Sequence, residues 1–133
     1  MKKSGILNSK LAGLVAKTGH GDQLIICDCG LPIPKDAVVV DLAVTENIPR
    51  FIDTIKVVLE ELKIESAIIA SEMESINPGL YKELISILPE INIKKVDHEK
   101  FKDITLSNGS IGFVRTGEAT SYANIILISG VTF

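Results

Sequence analysis

The feature that most constrains this chain is a regular alternation between amphipathic helical segments and short apolar segments rich in isoleucine and valine. The clearest helix spans residues 49–62, where apolar side chains recur at helical spacing behind Pro49, a residue suited to a first helical turn. The apolar segment 66–71 follows and is typical of a buried strand. Helices that alternate with buried strands predict an α/β fold, a three-layer domain in which helices cover a mixed, largely parallel sheet.

The same patterns predict the remaining helices and strands. A first helix is expected to begin at Asn8 or Ser9 as its N-cap and to stop at Gly19. Later helices are expected over residues 77–88 and, as a short helix or turn, over 98–104. Strands are expected over residues 23–27, 38–44, 91–96, 111–114 and 125–128. The close spacing of the last two strands favours a mixed sheet.

Length and charge narrow the classes of function. A chain of 133 residues fits one domain, and we expect that domain to span residues 1–133. The formal net charge of -3 argues against a nucleic-acid partner, since phosphate binding depends on clustered lysine and arginine. The longest apolar runs are far too short to span a bilayer, and no long apolar run follows the N-terminal lysines. We therefore expect a cytoplasmic protein with no membrane partner.

Cys27 and Cys29 are the only cysteines, and they flank an aspartate at the end of an apolar strand. Side chains two residues apart on a strand point to the same face, where two cysteines usually pack as small hydrophobic groups. A zinc site would need more ligands at a different spacing. No metal site is expected.

His20 is the first candidate for chemistry. It lies in a loop between the first helix and the first strand, with Gly19 and Gly21 on either side, so the backbone can turn and leave the imidazole accessible. A preceding helix C-terminus favours the charged imidazole, which suits a group that must pass a proton both ways. The alternative is an ordinary surface histidine in a turn.

Asp28 and His98 follow two predicted strands. A carboxylate at the end of an apolar strand is costly unless it is hydrogen-bonded or functional, although Asp28 could also cap a turn. His98 stands in a charged segment, where it could equally be the first residue of a solvated helix. In α/β folds, ligands gather beyond the carboxyl ends of the strands, which makes both residues candidates for binding.

The segment 115–124, between the last two strands, is dense in hydrogen-bonding groups. Tyr122 and Asn124 suit sugar hydroxyls, because each offers a donor and an acceptor. Arg115 and Glu118 are expected to pair either with each other or with a neighbouring chain.

Taken together, these segments resemble the D-ribose pyranase family, whose relatives include the fucose mutarotases. The resemblance covers essentially the whole chain, and the order and spacing of its short segments make it specific. The matching segments are residues 2–8, Gly19-His20, 28–34, Asp41-Leu42, His98-Glu99, 115–118, 122–124 and 130–133.

The resemblance implies a cofactor-free isomerase that interconverts the pyranose and furanose forms of D-ribose, with His20 as its catalytic acid and base. The sugar-binding positions that it implies are Asp28, His98, Tyr122, Ala123 and Asn124. It also implies a homo-oligomer, a decamer of two stacked pentameric rings, in which a neighbouring subunit completes each site. The alternatives are a mutarotase for another sugar, such as L-fucose, and a non-catalytic sugar-binding module.

Two positions depart from the family pattern. Cys29 stands where relatives usually have alanine, and Ser121 stands where a proline commonly precedes the tyrosine. The second change removes a fixed φ angle next to Tyr122. We expect both departures to affect fine geometry rather than activity.

Overall fold

A computed structural model describes the whole chain, residues 1–133. The helices are α1 (Ser9–Ala16), α2 (Phe51–Leu59), α3 (Ser71–Ile76), α4 (Pro78–Ile87) and α5 (His98–Thr105). The strands are β1 (Gln23–Cys27), β2 (Val39–Asp41), β3 (Ile64–Ala70), β4 (Asn92–Val96), β5 (Ser110–Arg115) and β6 (Ile125–Ser129). None of the helices combines the length and the apolar character needed to cross a membrane.

All six strands join one sheet in the order β2-β5-β1-β6-β3-β4. β6 runs antiparallel to both of its neighbours, β1 and β3, whereas the pairs β1–β5, β2–β5 and β3–β4 are parallel. The predicted mixed, largely parallel sheet is therefore confirmed. β5 and β6 are close in sequence but do not pair with each other, because β1 lies between them.

Helices cover both faces of the sheet, which confirms the three-layer prediction. Leu24 of β1 is fully buried in an apolar cluster that includes residues of α1, α2 and α4. Its neighbour Ile25 points to the opposite face, since side chains alternate along a strand, and there it belongs to a smaller cluster with Phe101 of α5. The core consists mainly of isoleucine, leucine, valine and alanine.

The first helix begins where it was predicted and ends earlier. The Asn8 side chain accepts a hydrogen bond from the Leu11 N–H at 3.0 Å, so Asn8 is the N-cap. The helix ends at Ala16 rather than at Gly19. The Gly19 N–H instead donates to Asp22 Oδ2 at 2.8 Å, which ties the glycine to the following turn.

Further differences from the predictions lie in α2, which covers Phe51–Leu59 rather than 49–62, in β2 and in α3. The strand expected over 38–44 is limited to β2, because Asp41 Oδ1 accepts the Ala43 N–H and Thr45 pairs with Ile48 across a tight turn. Helix α3 was missed, since it is six residues long and buries only Met73. So short a segment carries no helical apolar period.

The direction of β6 decides which loops meet. The carboxyl ends of the five parallel strands share one edge of the sheet, and the antiparallel β6 starts at that same edge. Asp28, His98 and Tyr122 therefore come together there. His20 precedes β1 and lies at the opposite edge.

Candidate functional site

A cavity of about 400 Å³ opens at the carboxyl edge of the sheet, within the size range of small-molecule sites. Its lining comes from the segment after β1, the start of α5 and the loop between β5 and β6. The lining residues are Asp28, Cys29, Gly30, Leu31, Pro32, His98, Glu118, Ala119, Thr120, Ser121 and Tyr122.

The Asp28 carboxylate is held in place by a fully buried asparagine. Asn124 Nδ2 donates to Asp28 Oδ2 at 2.8 Å, and the Asp28 N–H donates to Asn124 Oδ1 at 2.9 Å. The Gly30 N–H donates to the other carboxylate oxygen, Oδ1, at 2.9 Å. An ionised carboxylate has about four acceptor positions, so Asp28 retains capacity for hydroxyl donors in the cavity.

His98 and Tyr122 form an aromatic wall of the cavity. Their rings meet edge to face with centroids 5.1 Å apart, and Phe101 stacks on the imidazole at 6.3 Å. His98 Nδ1 is buried and has no hydrogen-bond partner in the protein. Because buried polar atoms are nearly always paired, this nitrogen is a ready partner for a ligand hydroxyl.

The main chain fixes both aromatic residues. The His98 N–H donates to Glu72 Oε1 at 3.1 Å, and this hydrogen bond holds the pKa of Glu72 below its usual value. Tyr122 has a φ of 65°, in the left-handed region that large side chains rarely adopt. The Asn77 side chain donates to the preceding carbonyl, that of Ser121, at 2.6 Å and supports this turn.

Glu118 fixes the loop between β5 and β6 to the start of α2. Its carboxylate is 1% exposed and accepts hydrogen bonds from Arg50 Nε at 2.8 Å, the Phe51 N–H at 3.0 Å and Thr120 Oγ1 at 2.7 Å. Burial alone would raise the pKa of Glu118, but these hydrogen bonds, that of the Phe51 N–H first, outweigh it and hold the pKa below its usual value. Glu118 therefore has a structural role, in which its carboxylate links the start of α2 to the loop that lines the cavity.

The loop also fits closely against the segment after β2. A methyl group at Gly117 would overlap the carbonyl oxygens of Thr45 and Ile48. Arg115 does not pair with Glu118, as one of the alternatives had it, but donates to Asp41 at 3.1 Å and to the Cys29 carbonyl at 3.0 Å. The alternative in which Arg115 pairs with Glu118 was wrong, because Glu118 is bound by Arg50 and the Phe51 N–H instead.

The two cysteines are free. Burial, more than any neighbouring charge, raises the pKa of the Cys27 thiol to about 12, so Cys27 packs as a hydrophobic group, as predicted. Cys29 lies at the cavity wall instead. No group of three or more histidine, cysteine, aspartate or glutamate side chains is arranged to hold a metal ion.

His20 is not part of this cavity. Its exposed imidazole lies at the other edge of the sheet, where Nε2 is 3.1 Å from Glu65 Oε2. The rise of the five β1 residues alone separates the two edges by roughly 13 Å. One chain therefore cannot bring its own His20 to its own Asp28.

The structure thus brings Asp28, His98 and Tyr122 together, with Asn124 directly beneath them. Ala123 does not line the cavity; its side chain is fully buried in the apolar core. Sequence reasoning missed the anchoring role of Glu118 and the contact of Glu65 with His20. Both contacts join residues at least 45 positions apart, so no local pattern could have indicated them.

The comparisons with known proteins agree on one family. Residues 1–132 match the model of the RbsD / FucU transport protein family. A protein named D-ribose pyranase from Petrotoga mobilis is 54% identical, and one from Coprothermobacter proteolyticus is 51% identical, each over 100% of both chains.

Solved structures give the same result for the fold. The Bacillus subtilis RbsD structure, complexed with D-ribose, superposes with a TM-score of 0.93 at 42% identity and 100% coverage of both chains. The fucose mutarotase of Streptococcus pneumoniae, solved with L-fucose, has a TM-score of 0.69 at 18% identity, which shows a shared fold alone. By the family model, the relatives and the fold, the chain belongs to the RbsD / FucU family.

Proposed function

We propose that this protein is a D-ribose pyranase, an isomerase that interconverts the β-pyranose and β-furanose forms of D-ribose. The observation that carries the proposal is the full-length identity of 54% to a protein named D-ribose pyranase. The fold match to a ribose-bound protein, with a TM-score of 0.93, supports ribose as the sugar. In this proposal the whole chain, residues 1–133, acts as one domain.

The chemistry of the cavity suits a small polyhydroxylated ligand. Asp28 supplies a fixed acceptor, and the buried Nδ1 of His98 supplies an unpaired polar atom. The Tyr122 ring offers an apolar surface for the sugar ring and a hydroxyl for one of its oxygens. Asn124 acts by orienting Asp28, and Ala123 contributes by closing the turn that carries Tyr122, since its N–H donates to the Thr120 carbonyl at 3.3 Å.

The reaction requires only proton transfers. When the anomeric hydroxyl loses its proton, a C1=O1 double bond forms, the C1–O5 bond breaks, and the ring oxygen takes up a proton. Attack of a different hydroxyl on the aldehyde closes the other ring size. We assign both transfers to His20, because a histidine exchanges protons near neutral pH, and such catalysis contributes on the order of 10² to 10⁴ in rate. No cofactor enters the proposed steps.

The position of His20 requires at least two copies of the chain. Because His20 lies at the edge opposite Asp28, we propose that each site combines the cavity of one copy with the His20 of another. The family resemblance suggests the arrangement, a decamer of two stacked pentameric rings. Free cysteines are typical of reducing compartments, and we propose a cytoplasmic location.

Exchange NMR tests the proposal. The rate of exchange between ribopyranose and ribofuranose should rise when the protein is added, and a His20→Ala variant should lose most of that acceleration. Saturable ribose binding without any acceleration would contradict an enzyme and favour a binding module. Acceleration of L-fucose anomer exchange but not of ribose exchange would favour a mutarotase for a different sugar.

A further inference from the structure

Glu65 reaches His20 because of an irregularity in the sheet. Along the β3–β6 pair, Ile64 lies opposite Ser129 and Ser66 lies opposite Ile128, so Glu65 is one extra residue on β3. An extra residue of this kind, a β-bulge, changes the direction of a side chain and is common beside active sites. Here it coincides with a carboxylate that contacts the imidazole at 3.1 Å.

The surroundings of Glu65 leave it little freedom. Gly130 follows β6, and its N–H donates to the Lys63 carbonyl at 2.9 Å, which holds the two chain segments together. A methyl group on Gly130 would come within 3.1 Å of the Glu65 Cβ. The absence of a side chain at residue 130 therefore leaves room for the Glu65 side chain in this position.

The loop that carries His20 is fixed on both sides of the histidine. The Gly19 N–H donates to the Asp22 carboxylate at 2.8 Å, and the Gly21 N–H donates to the Ser129 carbonyl at 2.9 Å. Gly21 has a φ of +81°, which allows the tight turn. With the backbone held in this way, the contact with Glu65 sets the orientation of the ring.

The contact also determines which ring nitrogen carries the proton. An ionised carboxylate only accepts hydrogen bonds, so His20 Nε2 must be the donor. The lone pair of the neutral ring is then on Nδ1, which has no hydrogen bond to the protein. A carboxylate that holds one imidazole nitrogen in this way fixes the tautomer and leaves the other nitrogen free to react.

We propose that Glu65 is a positioning residue for His20, which fixes the Nε2–H tautomer and makes Nδ1 the atom that exchanges protons with the sugar. The inference rests on the proposed function, in which His20 is the acid and base. Nδ1 accepts the proton of the anomeric hydroxyl as the C1–O5 bond breaks, and it then returns that proton to O5. The Glu65 carboxylate stabilises the imidazolium formed between the two transfers.

If Glu65 had only a structural role, its removal would lower the stability of the protein and leave the chemistry of His20 unchanged. Within one copy of the chain the pair is exposed, with 60% of the His20 side chain and 47% of the Glu65 side chain accessible, and exposed ion pairs contribute little to the stability of a fold. Removal of Glu65 should therefore leave the fold of each copy intact. The loss of Glu65 should instead change the tautomer of the His20 ring and lower kcat.

The experiment uses the full-length protein with ¹⁵N-labelled histidine in four forms: wild type, Glu65→Ala, Glu65→Gln and Glu83→Ala. His98 is the only other histidine and serves as an internal reference. At a pH where imidazole is neutral, the wild-type His20 should show a protonated Nε2 and an unprotonated Nδ1. In Glu65→Ala the shifts of the two nitrogens should move toward each other as the tautomers mix.

The kcat of each variant should change in parallel with its His20 tautomer. Glu65→Ala should lower kcat for ribose about tenfold to a hundredfold, the range typical when a carboxylate that orients a metal-binding imidazole is removed, with little change in KM. Glu65→Gln should retain the wild-type tautomer and most of the kcat, because its amide oxygen can accept the same Nε2–H. Glu83→Ala removes an equal charge from an exposed helix position and should match wild type.

Unchanged ¹⁵N shifts in Glu65→Ala, or a kcat equal to that of Glu83→Ala, would overturn the proposal. If wild-type protein failed to accelerate ribose exchange, the proposed function would be wrong. The ¹⁵N shifts would still decide whether Glu65 sets the His20 tautomer, so the two failures are distinguishable.

Discussion

Asn124 binds the main chain and the side chain of Asp28 at once, with its Oδ1 2.9 Å from the Asp28 nitrogen and its Nδ2 2.8 Å from Asp28 Oδ2. The pair joins the end of β1 to the start of β6 across 96 positions of sequence. Asn124 is fully buried, so the Asp28 carboxylate faces the cavity and the Asn124 amide does not. The position of the Asp28 carboxylate in the cavity therefore depends on Asn124, which does not itself line the cavity.

Substitution of Asn124 by aspartate should disrupt this arrangement. The change places a second carboxylate against Asp28 and removes a donor, and we expect a loss of about 2 kcal/mol in the free energy of unfolding at pH 7, with weaker ribose binding. Urea unfolding and ribose titration measure the two effects. Asn108→Asp, at an exposed turn, is the matched control and should behave as wild type. Equal stability of the two variants would show that the Asn124 contacts are dispensable.

The Tyr122 hydroxyl should matter for the sugar and not for the fold. The Tyr122 ring packs on His98, so Tyr122→Phe retains the wall of the cavity and loses only a hydroxyl. We expect KM for ribose to rise about tenfold, the loss of one hydrogen bond, with an unchanged unfolding midpoint. Tyr81→Phe makes the same chemical change on α4, outside the cavity, and should leave KM as it is. A KM that does not respond to Tyr122→Phe would remove this hydroxyl from the proposed site.

Glu118 should make the protein sensitive to acid. Its folded-state pKa lies below the ordinary value of 4.5, so its ionised form contributes stability above that pH, and the contribution is lost as the pH falls toward the folded-state pKa. Glu118→Gln lowers stability at pH 7, because the Arg50 charge and the Phe51 N–H lose an anionic partner. The difference between wild type and variant should therefore shrink below about pH 4.5. Urea unfolding between pH 7 and pH 3 measures it, and a difference independent of pH would contradict this role.

The fold follows closely from local sequence patterns. Strand β1 has the predicted bounds because residues 23–27 form an apolar run that is buried along almost its whole length. The pattern could not separate β2 from the loop after it, since apolar residues resume after Asp41 and continue to Val44, which is 80% exposed. β2 pairs only with β5, and the pairing rather than the residue types sets its length.

The candidate site was only partly predictable. Asp28 and His98 could be recognised because each is a polar residue at the end of a strand. That Tyr122 lies beside them depends on the antiparallel direction of β6, which local patterns do not fix. The contacts that orient the groups, Asn124 to Asp28 and Glu65 to His20, join residues distant in sequence and are seen only in the structure.

The central claim, that His20 of one copy acts on the sugar held by Asp28 of another, has a direct test. His20→Ala and Asp28→Ala, each expected to be inactive alone, are unfolded together in equal amounts, refolded and assayed for ribose ring exchange. Because His20 and Asp28 lie at opposite edges of the sheet, random assembly should restore about a quarter of wild-type activity, the fraction of sites in which both halves are intact. A mixture no more active than the two variants assayed separately would contradict the shared site.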